Sequence, residues 1–184
     1  MFIFSLDAEK ASDCCNWLKL FENLAVDKAL PNVVIKTLIQ LYIKGEASVR
    51  YQNQTSSLFK LSQGVRQGFI LSPHLFNFYI RDILHRVISL EVGTYLSTLD
   101  TSIIAFADDI ILLSPSLRGL QSMIDKCVEF GNEHLIRFND KTQFVISGKS
   151  HISDPSIIVN GNHIRPKEKL VHLGFNWGIN TASN

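Results

Sequence analysis

Ile103-Ile104-Ala105-Phe106-Ala107-Asp108-Asp109-Ile110-Ile111-Leu112-Leu113 sets two aliphatic runs on either side of a pair of adjacent carboxylates. Apolar runs of this length, bounded by turn signals, read as strands in the interior of a sheet. Burying both flanks leaves Asp108 and Asp109 at the tip of a tight hairpin, on the rim of a packed core. Two carboxylates about 4 Å apart repel by roughly 4 kcal/mol at a surface-like effective dielectric. A proton, a basic side chain or a divalent cation has to offset that repulsion. Asp is also a favoured turn residue, and this segment by itself asks for nothing more. The rest of the chain does.

Upstream, Phe2-Ile3-Phe4-Ser5-Leu6 reads as a buried strand that delivers Asp7 at its end. Ser12 or Asp13 is placed to cap a helix carrying Trp17, Leu18, Leu20, Phe21 and Leu24. Pro31 opens a second helix with Val34, Ile35, Leu38, Ile39 and Tyr42 at helical spacing, and Gly45 stands where it should stop. Ala47 to Tyr51 and Leu58 to Leu61 predict a hairpin around a polar Gln52-Asn53-Gln54-Thr55 tip. Gly64-Val65-Arg66-Gln67-Gly68-Phe69-Ile70-Leu71-Ser72-Pro73 is a glycine-punctuated loop entering a helix, with Ser72 as cap and Pro73 at the first helical position. Leu75, Phe76, Tyr79, Ile80 and Ile83 give that helix its apolar face.

Downstream, Ser116 caps a helix whose Leu117, Leu120, Ile124, Cys127 and Val128 mark the buried side, and Gln143 to Ser147 is a strand. Ile157 to Ile164 carries an Asn160-Gly161 turn, the strongest hairpin signal in the chain. Leu170 to Phe175 reads as a last strand and Asn180 to Asn184 as a frayed tail. Hairpins interleave with helices instead of strict βαβ repeats. The pattern predicts an α+β fold, an antiparallel sheet with helices on one face.

At 184 residues the chain is long enough for one domain with a real core. A net charge of +1 excludes a global basic field, so any nucleic-acid contact must rest on local patches. Cys14, Cys15 and Cys127 fit neither a zinc site nor a disulfide framework, which predicts packing thiols in a reducing compartment. The six histidines are scattered and none is assigned to a metal. Asp7 and Glu9 follow directly on Met1 to Leu6, against a signal peptide. No apolar run approaches the ~20 residues of a membrane span. These features predict a soluble intracellular protein, nuclear or cytoplasmic.

Three pieces then stand together: Leu6-Asp7-Ala8-Glu9-Lys10-Ala11, the Gly-Val-Arg-Gln-Gly loop leading to Leu-Ser-Pro, and Phe106-Ala107-Asp108-Asp109. In this order they resemble the palm of a reverse transcriptase of the non-LTR, LINE-type retrotransposon family. Asn139-Asp140-Lys141-Thr142 and Val171-His172-Leu173-Gly174 agree with it, so the resemblance runs from about Phe2 to Gly174. A group II intron-type enzyme is the nearer alternative within the polymerases, but its turn more often opens with Tyr than with Phe.

The resemblance implies an RNA-directed DNA polymerase that joins a primer 3′-hydroxyl to the α-phosphate of a deoxynucleoside triphosphate, with RNA template and DNA primer as partners. It implies two Mg²⁺ ions, with Mn²⁺ a possible substitute. Hard cations of this kind take carboxylate oxygens and keep few protein ligands beside substrate phosphates. Asp7 and Asp108 would bridge them, Ala8 would lend its carbonyl and Asp109 would be the auxiliary acid. Lys141 would stand near the leaving pyrophosphate as a general acid. The backbones of Lys10 and Ala11 would line the triphosphate, and Gln67 and Gly68 would meet the incoming nucleotide and template base. Arg66 would contact a phosphate. Ser12 replaces the aromatic residue that would exclude a 2′-hydroxyl, and Phe69-Ile70 replaces Cys-Pro.

The expected organisation is a palm over 1–175, with a fingers-proximal hairpin at 46–62, fingers mostly absent, thumb truncated, and a tail over 176–184. Activity of the chain alone is expected to be reduced or absent. The competing expectations are an inactive nucleic-acid- or partner-binding remnant of the same fold, and a remnant that folds poorly.

Overall fold

The computed structural model describes residues 1–28, 30–107, 109–138, 142–148, 152–172 and 175–178, with 171, 172 and 175–178 described by backbone alone. In chain order, β1 (Phe2–Glu9) precedes α1 (Ala11–Cys14), α2 (Trp17–Asp27) and α3 (Asn32–Ile43). Four short strands follow, β2 (Glu46–Ala47), β3 (Arg50–Tyr51), β4 (Gln54–Thr55) and β5 (Phe59–Lys60), then the long helix α4 (Ser72–Ile88). Next come β6 (Tyr95–Leu96), β7 (Leu99–Asp100), β8 (Ile103–Phe106), β9 (Asp109–Ser114), α5 (Leu117–His134), β10 (Arg137–Phe138) and β11 (Gln143–Ile146). The hairpins β12 (Ile157–Val159) with β13 (Asn162–Ile164) and β14 (Lys169–His172) with β15 (Phe175–Gly178) close the described chain. Two compact units result, Met1–Lys10 with Ile80–Asn184, and Ala11–Tyr79. The boundary falls inside α4.

The first unit is built on an antiparallel five-stranded sheet in the order β10-β1-β9-β8, with β11 also paired to β1. Both edges of β1 are therefore occupied, which suits its run of buried residues. Alternation puts Ile3, Ser5 and Asp7 on one face and Phe4, Leu6 and Ala8 on the other. On the odd face Ile3, Ile111, Leu113, Val145 and Leu170 form one apolar cluster, with Leu170 contributed by β14. Helix α5 packs on β1 and β9. Its cap is the expected Ser116, whose hydroxyl accepts from the Gly119 N–H at 3.0 Å. The buried side runs through Leu120, Met123, Ile124, Cys127, Phe130 and His134. Leu117 and Val128, expected there, are only half-buried because the helix turns them to its flanks. Arg86, near the end of α4, bridges Asp82 and Glu133 at 2.7 Å each.

In the second unit α2 and α3 pack together, and Trp17 and Phe21 both set their ring edges against Tyr42. Asn16, not Ser12 or Asp13, caps α2, accepting from the Lys19 N–H at 3.2 Å. The separate turn α1 consumes Ser12 and Asp13 first. Ser72 is likewise not a cap: the first helical bond of α4 reaches the Leu71 carbonyl, and the Ser72 hydroxyl donates back to the Arg66 carbonyl. Ala47 to Leu61 is not one ladder but two nested pairs, β2 with β5 and β3 with β4.

Among the other expectations, the Asn160-Gly161 turn stands with φ of 49° and 81°, as a two-residue turn between twisted strands requires. The single strand foreseen at Leu170 to Phe175 is instead parts of two antiparallel strands, β14 and β15. Leu173, Gly174 and the 180–184 tail lie outside the described residues. Among the described residues no helix is long and apolar enough to cross a membrane.

Candidate active site

Strand β1 and the β8–β9 hairpin set the site. Register pairs Ile3 with Leu113, Ser5 with Ile111 and Asp7 with Asp109. Cross-strand partners carry their side chains on the same face. One face of two adjacent strands thus passes from fully apolar, through Ser5, to two opposed carboxylates, both half-buried. Phe106 is the partner of Asp109 on the outer side, so the row continues into an exposed aromatic ring. That neighbour is visible in sequence only once the turn length is known.

Phe106 pairs with Asp109 across the hairpin, with Ala107 following β8 directly. Ala107 is held at φ 53°. An L-residue with a Cβ is disfavoured there by roughly 1–2 kcal/mol, a cost the ladders on either side impose. Asp108 itself lies outside the described residues, as do Asn139, Asp140 and Lys141.

Like charges directly opposite one another destabilise a sheet. The donors are hard carboxylate oxygens, a set that fits Mg²⁺ or Mn²⁺ and does not fit a thiolate-loving metal. Among the described residues no three His, Cys, Asp or Glu side chains gather into a metal-binding group. The buried thiols do not join this chemistry: burial pushes Cys15 up to about 12 and Cys127 higher still. Ala8 pairs with Phe138 of β10 on the far edge of β1. Lys10, at φ 48°, ends the strand.

Within the second unit, the loop between β5 and α4 is tied down from several sides. Val65 N–H donates to the Ser12 carbonyl and Gly64 N–H to the Cys15 carbonyl, each at 2.8 Å. The Trp17 indole donates to the Gly64 carbonyl at 2.7 Å. Gly64 is at φ 86°, and a Cβ there would lie 2.8 Å from the Asp13 carbonyl oxygen, so only glycine fits. Gly68, at φ 78°, has open space around it, and its backbone sign alone calls for glycine.

The Gln67 amide donates to the Asp13 carboxylate at 3.2 Å. Arg66 turns inward, donating to the Leu41 carbonyl at 2.9 Å and lying 5.8 Å from the Tyr42 ring centroid. This arginine, expected at a phosphate, closes the C-terminal end of α3. Asp13, Trp17 and Tyr42 read from sequence as a cap candidate and two helix positions, not as supports of this loop. Their roles depend on partners far along the chain.

With this geometry in hand, the sequence pattern of the reverse transcriptase (RNA-dependent DNA polymerase) family matches residues 1–177. The chain belongs to this family. It is similar to the Pol polyprotein of the type-2 retrotransposable element R2DM of Drosophila melanogaster, 33% identical over 70% of this chain and 12% of that protein. It is also similar to the Pol polyprotein of a type-1 retrotransposable element R2 of Popillia japonica, 26% identical over 97% of this chain and 29% of that one. These are non-LTR elements, the kind expected, and this reverse transcriptase chain spans less than a third of their length. Among solved structures, apo telomerase of Candida tropicalis superposes with a TM-score of 0.63 at 19% identity, over 89% of this chain and 34% of that one. A Candida albicans telomerase, solved with a TWJ fragment of telomeric RNA, gives 0.58 at 16% identity over 90% and 29%. That likeness supports the α+β polymerase-palm fold.

Proposed function

We propose that the chain is the catalytic palm of an RNA-directed DNA polymerase, extending over 1–175 with residues 46–62 as its fingers-proximal hairpin. Its substrates are an RNA template, a DNA primer and deoxynucleoside triphosphates, and it acts inside the cell. The observation that carries this reading is the direct opposition of Asp7 and Asp109 at the polar end of an otherwise buried strand pair.

Nucleotidyl transfer asks a protein mainly to position and to neutralise. Asp7, the Ala8 carbonyl, Asp108 and Asp109 would hold two divalent ions. Those ions, when bound, supply the positive charge that offsets the acids and the transferring phosphate. Lys141 donates a proton toward the leaving pyrophosphate. The Lys10 and Ala11 backbone lines the triphosphate. Gln67, whose amide donates to the Asp13 carboxylate, and Gly68 would meet the incoming nucleotide. Arg66 supports that loop from behind through Leu41 and Tyr42.

Primer extension by the purified chain with Mg²⁺, beside Asp108→Ala, tests the reading. Extension abolished in the variant supports it, and extension that persists unchanged refutes it. Ser12 favours the second reading, an inactive binding module of the same fold, because its small side chain replaces an expected ring. Extension by neither protein, with retained binding of a primer–template, supports that module. If the polymerase is active, Ser12→Phe should raise discrimination against ribonucleotides. Equal dNTP and rNTP preference in both forms would sink the steric argument.

A further inference from the structure

We propose that the cavity bordered by β10 and the β12–β13 hairpin is a second site for a nucleoside phosphate, separate from the paired acids. It encloses about 320 Å³, within the range of small-ligand pockets, roughly 300–1,000 Å³. Its lining combines Arg165 and Lys167 with the Asn160 and Asn162 carboxamides, the Phe138 ring and Thr142. Among the described residues no carboxylate lines it. Two cations without a lining acid select an anion. An aromatic ring beside carboxamides suits a base, by stacking and by pairing to its edge.

Four details make this a formed site. Thr142 is 3% exposed, and its hydroxyl has no hydrogen-bond partner among the described residues. A buried hydroxyl left unpaired is costly, and a ligand oxygen or base edge relieves it. Lys167 is fixed through its backbone, donating to the Phe144 carbonyl at 2.7 Å, while its side chain is exposed. Asn160 is pinned in the left-handed turn beside Gly161. Arg165 contacts Asp154 at 3.3 Å with both side chains mostly exposed, a pairing weak enough to exchange for a phosphate.

The position separates this cavity from the acids. Phe138 pairs with Ala8, and the Ala8 side chain leaves β1 on the face opposite Asp7. A ligand here therefore does not compete for the carboxylates. The proposal goes beyond the polymerase reading and stands without it. The nucleoside phosphate can come from a free nucleotide or from one residue of a single strand.

The experiment titrates the isotopically labelled full chain, in EDTA, with inorganic phosphate, a nucleoside 5′-monophosphate and a single-stranded oligonucleotide. Methyl shifts are followed at Val159 and Ile164 of the cavity and at Ile110 and Ile111 beside the acids. Shifts confined to Val159 and Ile164 support the site. Saturation by the monophosphate identifies a free nucleotide, and saturation by the oligonucleotide alone identifies a strand. Arg165→Gln with Lys167→Gln should weaken binding at least tenfold. For a strand, the same change should lower the slope of log K against log salt by about 0.7 per cation removed.

Thr142→Val should weaken binding by about tenfold, a hydrogen bond's worth, while melting at the same or a higher temperature. A merely structural threonine would not show that split. Asp109→Asn should leave the cavity shifts unchanged, so failure of the polymerase reading does not touch this one. No cavity shift with any probe overturns the proposal. Inorganic phosphate binding as tightly as the nucleotide does so too, as do a silent double variant and loss of the shifts in Asp109→Asn.

Discussion

Asp109→Asn should stabilise the metal-free protein and remove its response to magnesium. Asp7 and Asp109 are cross-strand partners, so their Cβ atoms lie about 5 Å apart. At an effective dielectric of 20, that spacing gives a repulsion of about 3 kcal/mol. Both side chains are only half-buried, and water screening reduces the figure to about 1 kcal/mol. Asparagine keeps the shape and removes the charge. In EDTA the variant should therefore melt about 2–4 °C above the parent chain, for a protein of this length. Magnesium reverses the order. At ten times its dissociation constant, an ion bound only by the folded parent contributes about 1.4 kcal/mol, which the variant forfeits. The assay is a pair of thermal melts, each with EDTA and with Mg²⁺, read by circular dichroism. A variant that melts lower in EDTA, or that gains as much from Mg²⁺ as the parent, refutes the idea that these two acids face one another as a cation-binding pair.

Three further outcomes follow from packing, backbone strain and titration. Gly93→Ala places a Cβ 1.8 Å from the Ser102 hydroxyl and 2.8 Å from its Cα, so urea unfolding should show a loss of about 1–3 kcal/mol; a neutral result would mean that the β6–β9 region yields freely. Ala107→Gly relieves a left-handed alanine worth roughly 1–2 kcal/mol, against about 0.5–1 kcal/mol of added unfolded-state entropy, so the variant should gain a few tenths to 1 kcal/mol. His134 is buried against Phe130, its Nδ1–H donating to the Phe130 carbonyl at 3.0 Å, and burial, with Arg86 nearby, holds its pKa below the usual 6.5. The unfolded chain then takes up the proton first, so stability is full above pH 6.5 and falls as the pH drops through that value toward the native pKa. In His134→Gln that acid-side loss should be smaller, as measured by urea midpoints between pH 7.5 and 5.5.

How far the sequence discloses this depends on whether a residue's partner is local. The buried flank Ile110 to Leu113, the Asn160-Gly161 turn and the Ser116 cap are each decided within a few residues and stand as read. Ile103 to Phe106, expected in the sheet interior, is instead the edge strand β8 and stays half-exposed because no further strand covers it among the described residues. Ser72 misleads because α4 starts one residue earlier, the Leu71 carbonyl accepting its first bond, while the Ser72 hydroxyl donates back to the Arg66 carbonyl. Asn16 caps α2 because an extra turn forms before it, a choice made by the tertiary pairing of residues 12–15 with Gly64 and Val65. The family resemblance implies Arg66 at a phosphate, yet an adjacent helix end and an aromatic ring claim its guanidinium. The β6–β7 hairpin carries no glycine signal, since Ser97 takes the positive φ of 56°.

The acid pair itself belongs to neither category. Each carboxylate is legible as the polar end of its own buried strand, but their meeting is set by register, and register by the apolar residues beneath them. Ile3 facing Leu113, and Ser5 facing Ile111, bring Asp7 opposite Asp109. A slip of one residue would turn Asp7 to the opposite face and bring Leu6 into the polar row. The cluster of Ile3, Ile111, Leu113, Val145 and Leu170 opposes that slip, because it would turn Ile3 away from its four apolar partners to the wrong side of the sheet. A site of opposed charges cannot hold its own geometry, since its members repel. Here the apolar end of the same two strands holds it for them, and damage to that cluster should displace the acids before it unfolds the sheet.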